Sequence, residues 1–353
     1  MNILVTGGAG FIGSALIREL IENSDHCVLN YDLLTYSGNL SSLNSVTNSP
    51  RYKFIQADIC DENIVGEVLN EFQPTKIINL AAESHVDRSI DNPSPFIETN
   101  VVGTMNLLKH AGNYYDSLAA SEKKDFVFHH VSTDEVYGSI PLGVDPCAES
   151  YPYNPSSPYA ASKASSDHLV HAWHQTFKLP TIISNCSNNY GPFQFPEKLI
   201  PHTILNALDG KNIPIYGDGS QIRDWIYVED HVAGLIKACF EGSSGETYNI
   251  GSSNEIRNID TVQIICNILD DLVVEKPRNI SSFSNLITFV DDRPGHDQRY
   301  AINSSKIMSE LNWKNLQTFN SGINITIRWY LDNQKWWQEI LEKNYSLRRL
   351  GNI

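Results

Sequence analysis

The sequence predicts an α/β protein built on a doubly wound parallel sheet, with a smaller α/β lobe made largely of the C-terminal half. Three observations lead there. Short apolar runs alternate with amphipathic stretches through the N-terminal half, at the spacing of strand–helix–strand units. The first run passes straight into a glycine-rich loop that opens a helix. Beyond about residue 190 the pattern changes to short apolar pieces, IPIYG, DWIYV and TYNIGS, separated by single helices.

Taken in order, the runs at 3–5, 28–31, 54–57, 77–80 and 126–131 read as strands. Helices follow the first to Glu22 and the third to Phe72, and a long helical stretch over 158–179 precedes a further strand in TIISNCSN, 181–188. With 353 residues, 41% of them hydrophobic, the chain can bury one large core or two unequal ones flanking a cleft. No internal repeat or low-complexity segment interrupts it, so a single bilobal unit with its ligand between the lobes is expected. The first lobe is set at residues 1–190 and the second, with the C-terminal helices, at 191–353, the chain crossing between them.

Composition excludes several classes. A net charge of −15 argues against nucleic acid, because counterion release needs clustered Lys and Arg. No apolar run approaches the ~20 residues that span a bilayer. The first strand starts at Asn2 with no charged leader or cleavage site, which points to the cytoplasm. The six cysteines, Cys27, Cys60, Cys147, Cys186, Cys239 and Cys266, show neither CxxC nor Cys/His ligand spacing, so neither disulfides nor a metal are expected.

ILVTGGAGFIGS sets Gly7, Gly10 and Gly13 directly after a strand and at a helix start. Such glycines permit a tight turn, close approach of the backbone to a pyrophosphate and close packing of helix on strand, while the helix N-terminus offers free N–H groups. Asp32 ends the second strand, where a carboxylate accepts both hydroxyls of an adenosine ribose and repels a 2'-phosphate. NAD is therefore expected rather than NADP. Asp58 and Ile59 after the third strand, and Leu80, Ala81, Ala82 and Ser84 after the fourth, sit at carboxyl ends of strands, where such ligands bind.

In PYAASK, Tyr159 and Lys163 are four residues apart in a helical stretch and share one face. A nearby ammonium favours phenolate and lowers a tyrosine pKa from about 10 toward neutrality. Such a phenolate takes the proton of a sugar alcohol as its hydride leaves for nicotinamide. With TGGAGFIG, Asp32, Thr133 at a strand end and YxxxK, the chain resembles the extended short-chain dehydrogenase/reductase family. The resemblance implies a Rossmann-type domain with tightly held NAD and a C-terminal lobe for a nucleotide-activated sugar.

HHVSTDEVYG ends a β-branched run in Thr133, Asp134 and Glu135, two adjacent carboxylates with no basic neighbour. Oxidation needs only Thr133, Tyr159 and Lys163, so a second proton-transfer pair implies a second reaction. Once C4 of a sugar is a carbonyl, the C5 proton is acidic. One carboxylate can remove it while a neighbouring carboxylic acid protonates the leaving C6 hydroxyl. Two carboxylates held close cannot both ionise readily, so one pKa rises and a single site holds an acid and a base.

AAESHVDRS, HHVSTDEVYG, PYAASKASSDHLV, NCSNNYGPFQFPEKLIP, GDGSQIRDWIYVEDH, GETYNIG and DRPGHDQRYAI together resemble the dTDP-glucose 4,6-dehydratase family, from about Asn2 to Tyr330. Epimerases and decarboxylases of the superfamily share the glycine loop and YxxxK but lack the adjacent Asp-Glu. The resemblance implies that Asp134 is the acid at the C6 oxygen, Glu135 the base at C5 and Tyr159 the base for C4 oxidation, with the hydride returning to C6 so that NAD is regenerated in each turnover. It extends the cofactor set to Phe11, Ile12, Leu34, Thr35, Thr99, Tyr159, Lys163 and Asn189. It assigns the nucleotide sugar to Ser84, His85, Thr133, Asn188, Glu197, Lys198, Leu199, Pro214, Ile215, Tyr216, Arg223, Asn258, Asp292, Arg293, Pro294, Gly295 and His296. Arg223 and Arg293 suit a diphosphate in an otherwise acidic chain. The resemblance also implies a homodimer formed through the YxxxK helix.

UDP-glucose dehydration and 4-epimerisation are the enzymatic alternatives, since one methyl group separates thymine from uracil and is worth only about 1–3 kcal/mol. A non-catalytic NAD-binding regulator is the other class; it is disfavoured because Tyr159, Lys163 and the acid pair are all present. Trp329, Trp336 and Trp337 recur at near-helical spacing and read as lobe packing. The loop between Gly138 and Glu149 is shorter than the common family pattern.

Overall fold

The computed structural model describes residues 1–344. Its strands, in chain order, are β1 (Asn2–Thr6), β2 (Cys27–Asp32), β3 (Tyr52–Gln56), β4 (Lys76–Asn79), β5 (Val127–Thr133), β6 (Thr181–Cys186), β7 (Asn188–Tyr190), β8 (Ile213–Tyr216), β9 (Ile222–Tyr227), β10 (Thr247–Ile250), β11 (Glu255–Arg257) and β12 (Ile287–Val290). Seven of them form one sheet in the order β10-β6-β5-β4-β1-β2-β3, every pair parallel. β4 and β6 are buried along their whole length and β1 over all but its first residue. Helices cover both faces of such a sheet, which is why these strands are apolar runs rather than alternating patterns.

On one face the helices Phe11–Glu22 and Val228–Glu241 close over Ile3, Val5, Val28 and Ile78 through Leu16, Ile17, Leu20, Val232 and Leu235. On the other, Glu62–Phe72, Thr104–Ser117 and Pro158–Phe177 cover Leu4, Leu29, Ile77 and Phe128 through Val65, Leu107, Leu108 and Val170. The second helix set includes a π-helical stretch, Ile97–Gly103, running into Thr104–Ser117; the sequence reading left this segment without an element. The long helix ends at Phe177, short of the expected residue 179, because Lys178 adopts a left-handed conformation (φ 58°) that terminates it.

The C-terminal lobe holds the three-stranded sheet β11-β9-β7 and the parallel pair β12-β8. Its core joins Ile204, Ile265, Leu269, Ile323 and Tyr330 from the helices Leu199–Leu208, Asn258–Leu272 and Phe319–Asp332. IPIYG and DWIYV form β8 and β9 as lobe strands, but TYNI does not stay there: it is β10, the edge of the main sheet beside β6. A four-residue buried run carries no local mark of which sheet it will join, so the sequence reading left it with its neighbours. Trp329, Trp336 and Trp337 do pack on the lobe core. Trp336 also donates to the Ser42 hydroxyl at 3.3 Å, tying the helix Gln334–Asn344 back to the first lobe. The end of the expected second lobe, 345–353, lies outside the described residues. No helix among the described residues is long and apolar enough to cross a membrane.

Candidate active site

A cleft of about 1020 Å³ opens at the carboxyl ends of β1, β4 and β5, where strand order reverses, and runs into the C-terminal lobe. At one end Gly7 turns with φ 69°, and a Cβ there would stand 2.7 Å from the Ala81 nitrogen. A Cβ on Gly13 would lie 2.2 Å from the Gly7 carbonyl oxygen, so helix and turn touch backbone to backbone. Gly10 caps the helix Phe11–Glu22 with no side chain on the first-turn N–H groups, which leaves them for a phosphate. Asp32 is held by the N–H groups of Ala9 and Leu34, each at 2.8 Å. Burial pushes this carboxyl up and the two N–H bonds oppose the shift. The cradle thus fits a dinucleotide.

The catalytic candidates meet beyond it. Thr133 ends β5 and starts a single 3-10 turn, Asp134–Tyr137, by accepting from the Glu135 N–H at 3.3 Å. That turn swings both acids into the cleft. Asp134 is 2% exposed, accepts from the Thr133 hydroxyl at 3.3 Å and leaves Oδ2 without a partner. Burial, then the Glu135 charge, holds it well above the usual carboxylate range. Burial also raises Glu135, though less, because Arg293, Lys198 and Arg223 pull the other way. Asp134 is therefore the more readily protonated of the two acids, and burial contributes more to its rise than the mutual repulsion expected from the sequence.

Tyr159 begins the helix Pro158–Phe177, capped by the Ser157 hydroxyl on the Ala160 N–H at 3.1 Å. Its phenol hydrogen-bonds the Thr133 side chain, but burial and then the Glu135 charge raise its pKa well above the usual value. This corrects the expected lowering by Lys163. The ammonium turns instead to the Val131 carbonyl at 2.8 Å and to His130 Nε2 at 3.2 Å, and burial brings its own pKa down to about 8.

Across the cleft, Arg293 Nη1 pairs with Asp87 Oδ1 at 2.8 Å, and the Tyr216 hydroxyl donates to Asp87 Oδ2 at 3.0 Å. Arg293 Nε, Asn188 Oδ1 and Asn258 Oδ1 are buried polar atoms with no hydrogen-bond partner. The Arg223 guanidinium donates to the carbonyls of Ile222 and Asp297 at 2.7 and 3.0 Å. His85 Nε2 lies 3.6 Å from Glu197 Oε2, yet burial takes the imidazole down to about 3 and the carboxyl up to about 7, so the contact at neutral pH is not an ion pair with a charged histidine.

The cleft gathers every residue that sequence reading put at the site except Leu34, Asp292, Pro294 and Gly295. Leu34, at φ 58°, contributes only its N–H to Asp32 while Leu33 faces the cleft. Asp292 is turned to His296 Nδ1 at 2.6 Å and Gln221 Nε2 at 3.0 Å, so it holds a cleft residue rather than lining it. Pro294 and Gly295 form the exposed turn between them, with Gly295 at φ 64°.

A protein-family model described as GDP-mannose 4,6 dehydratase matches residues 4–326. The chain is also 56% identical over 350 residues, 99% of its own length and 99% of the relative's, to the dTDP-glucose 4,6-dehydratase of Neisseria meningitidis serogroup B. This chain belongs to the dTDP-glucose 4,6-dehydratase family. Two solved family members resemble it throughout. The dTDP-glucose 4,6-dehydratase of Streptomyces venezuelae, solved with NAD bound, superposes with TM-score 0.86 at 41% identity, over 96% of this chain and 100% of the other. That of Bacillus anthracis, in complex with NAD, gives 0.84 at 41% identity, over 96% and 99%.

Within this dehydratase-family cleft the structure adds residues that sequence reading passed over. Asp87, in the SHVDRS run after the fourth strand, links Arg293 to Tyr216. Trp336, read only as packing, also lines the cleft. Behind Lys163, His130 and Asp167 are fully enclosed, Asp167 accepting from Ser132 and Tyr153 at 2.8 and 3.0 Å. The short loop before Glu149 is pinned as well: Glu149 Oε1 accepts from the Asn249 N–H at 2.9 Å, and the Cys147 carbonyl from Asn249 Nδ2 at 2.9 Å. The periodicity of the 158–179 stretch and the alternation in HHVSTDE are signals for His130 and Asp167 facing inward; Asp87 is marked only by its place after the fourth strand.

Proposed function

We propose that this protein converts dTDP-glucose to dTDP-4-keto-6-deoxyglucose by oxidation at C4, loss of water across C5 and C6, and reduction at C6. The observation that carries this reading is Asp134: a buried carboxyl with an unpartnered oxygen, its pKa pushed well above the usual carboxylate range by burial, one residue from Glu135 and beside Thr133 and Tyr159. A simple oxidation or epimerisation uses no such acid.

In this reading Gly7, Gly10, Gly13, Asp32 and the Asp58 and Leu80–Ser84 strand ends hold NAD. When bound, NAD supplies the acceptor and later donor of the hydride, together with the positive charge of its oxidised ring. Thr133 orients the C4 hydroxyl and Tyr159 removes its proton, its phenol drawn down from the raised value by positive charge facing it. Glu135 removes the proton from C5 of the keto sugar. Asp134 protonates the C6 oxygen, which leaves as water. Glu135 then returns a proton to C5. Arg223, Arg293, Asn188, Asn258 and Tyr216 hold the nucleoside diphosphate, and enclosure keeps the unsaturated intermediate from escaping.

The division near residue 190 follows the same roles, cofactor before it and sugar nucleotide mainly after it. A cytoplasmic homodimer belongs to the proposal; exposed Ile97, Met105 and Phe177 on helices at one side of the first lobe support the dimer, and light-scattering mass measures it. The deciding experiment incubates purified protein with dTDP-glucose, without added NAD, and follows the alkali-dependent ultraviolet absorbance of the 4-keto product beside a UDP-glucose control. No product from dTDP-glucose refutes the reading.

A further inference from the structure

We infer that Tyr300, Asp297 and Ser156 form a proton outlet connecting Glu135 to solvent, an inference that rests on Glu135 being the C5 base. The Tyr300 hydroxyl lies 3.5 Å from Glu135 Oε2 and donates to Asp297 Oδ2 at 2.7 Å. The same Asp297 oxygen accepts a short hydrogen bond from the Ser156 hydroxyl. Tyr300 and Asp297 are 4% and 7% exposed, whereas Ser156 is on the surface. A continuous run of O–H groups and carboxylates thus leaves the half-buried base and ends in water.

The neighbours fix this run. The Arg223 guanidinium sits 4.3 Å from the centre of the Tyr300 ring and donates to the Asp297 backbone carbonyl at 3.0 Å, fixing the ring and the backbone that carries the carboxylate. A tyrosine placed only to fill space would not need a buried carboxylate with two hydroxyl donors on one oxygen.

The donor directions suit outward transfer. Tyrosine has one proton, and at 2.7 Å it goes to Asp297, which leaves an oxygen lone pair for Glu135. While Glu135 is a carboxylate nothing moves. Once it has taken the C5 proton it becomes a donor to the Tyr300 oxygen. Its O–H bond breaks as a new one forms on the tyrosine, whose original proton passes to the Asp297 carboxylate. Tyr300 ends neutral, as it began. Asp297 then gives its proton to the Ser156 oxygen while the serine's own proton enters water. The net change is a restored Glu135 carboxylate and one proton in solvent, and the reverse sequence brings a solvent proton to C5.

The outlet predicts where the C5 hydrogen of the product comes from. A single turnover of dTDP-glucose by the full-length protein with its own NAD, run in D₂O, is read by the deuterium content at C5 using NMR. The unaltered protein is expected to label C5 mainly from solvent. In Tyr300→Phe the ratio of solvent label to retained substrate hydrogen is expected to fall by about tenfold or more, the scale of losing one charge-assisted hydrogen bond. Asp297→Asn keeps the shape and both acceptor contacts but cannot relay a proton, so it is expected to fall likewise and carries the test if the phenylalanine variant does not fold. Full solvent label in both variants overturns the outlet, as does retention of the substrate hydrogen by the unaltered protein. Failure to form any 4-keto-6-deoxy product overturns instead the functional reading beneath it.

Discussion

Lys163 donates through Nζ to the Val131 carbonyl at 2.8 Å and lies 3.2 Å from Nε2 of His130, so its ammonium is positioned from behind the cleft. Asp167 Oδ1 lies 3.5 Å from the same imidazole nitrogen. Burial lowers Lys163 to about 8 and the Asp167 charge opposes that fall. Asp167, raised by burial to about 6, is ionised in the alkaline range where the lysine titrates. Asp167→Asn is therefore expected to lower the Lys163 pKa and move the alkaline limb of the kcat/KM pH profile to lower pH, because the ammonium exists only below its pKa. An unmoved limb would detach Asp167 from Lys163.

Separating the two acids from the oxidation is the direct check on the second reaction. Asp134→Asn and Glu135→Gln are expected to reduce dehydration by about 10²–10⁴-fold, the usual scale for one acid–base group, while the purified variants still carry NAD. Rapid-quench analysis should find a 4-keto hexose that has kept its C6 hydroxyl. Normal dehydration by the double variant would remove both residues from the mechanism.

In the proposed reading Asp32 bears on the cofactor alone. Its carboxylate is aligned by two N–H donors, from Ala9 and Leu34, so it is set to receive ribose hydroxyls without reorganising. Asp32→Ala is expected to lose about 1.5–3 kcal/mol of NAD affinity, the scale of a charged hydrogen bond, and to narrow the preference for NAD over NADP. Cofactor content of the purified variant, read by absorbance after denaturation, measures the first effect and titration with each dinucleotide the second.

Asp87 lines the cleft through Arg293 and Tyr216, both assigned to the nucleotide in the proposed reading. Burial is the largest influence and would raise its pKa, but the Arg293 guanidinium, His85 and the Tyr216 hydroxyl together outweigh it and hold Asp87 low, as Asp87 in turn keeps Arg293 charged. Asp87→Asn is expected to raise KM for dTDP-glucose by about tenfold, the loss of one charge-assisted hydrogen bond, with kcat and NAD content nearly unchanged. A fall in kcat at constant KM would assign it a different role.

How far the sequence reaches depends on the range of the interactions. The glycine loop, Asp32, the Thr133-Asp134-Glu135 run and the Tyr159/Lys163 pair are local patterns, each readable within a strand end or one helical turn, and all of them line the cleft. Arg293 with Asp87 spans 206 positions and Tyr300 with Glu135 spans 165, and no periodicity encodes such a meeting. The Tyr159 pKa runs opposite to the expected lowering because burial and the Glu135 charge dominate it, and helix spacing encodes neither. Spacing shows that a lysine shares its helix face but not that a backbone carbonyl, from Val131, has claimed the ammonium. DRPGH read as one ligand-binding unit, whereas the fold sends Arg293 and His296 to the cleft and leaves Asp292, Pro294 and Gly295 as their support.

The late arrival of β10 bears on biosynthesis. Until Thr247–Ile250 has left the ribosome, β6 stands as an open edge, its unpaired backbone groups available to any passing strand. The helix Val228–Glu241, which covers the same sheet, is equally late. A nascent chain halted near residue 190 is thus a sheet without its last strand or one of its covering helices, and shortening the gene there should yield aggregates rather than a small NAD-binding protein.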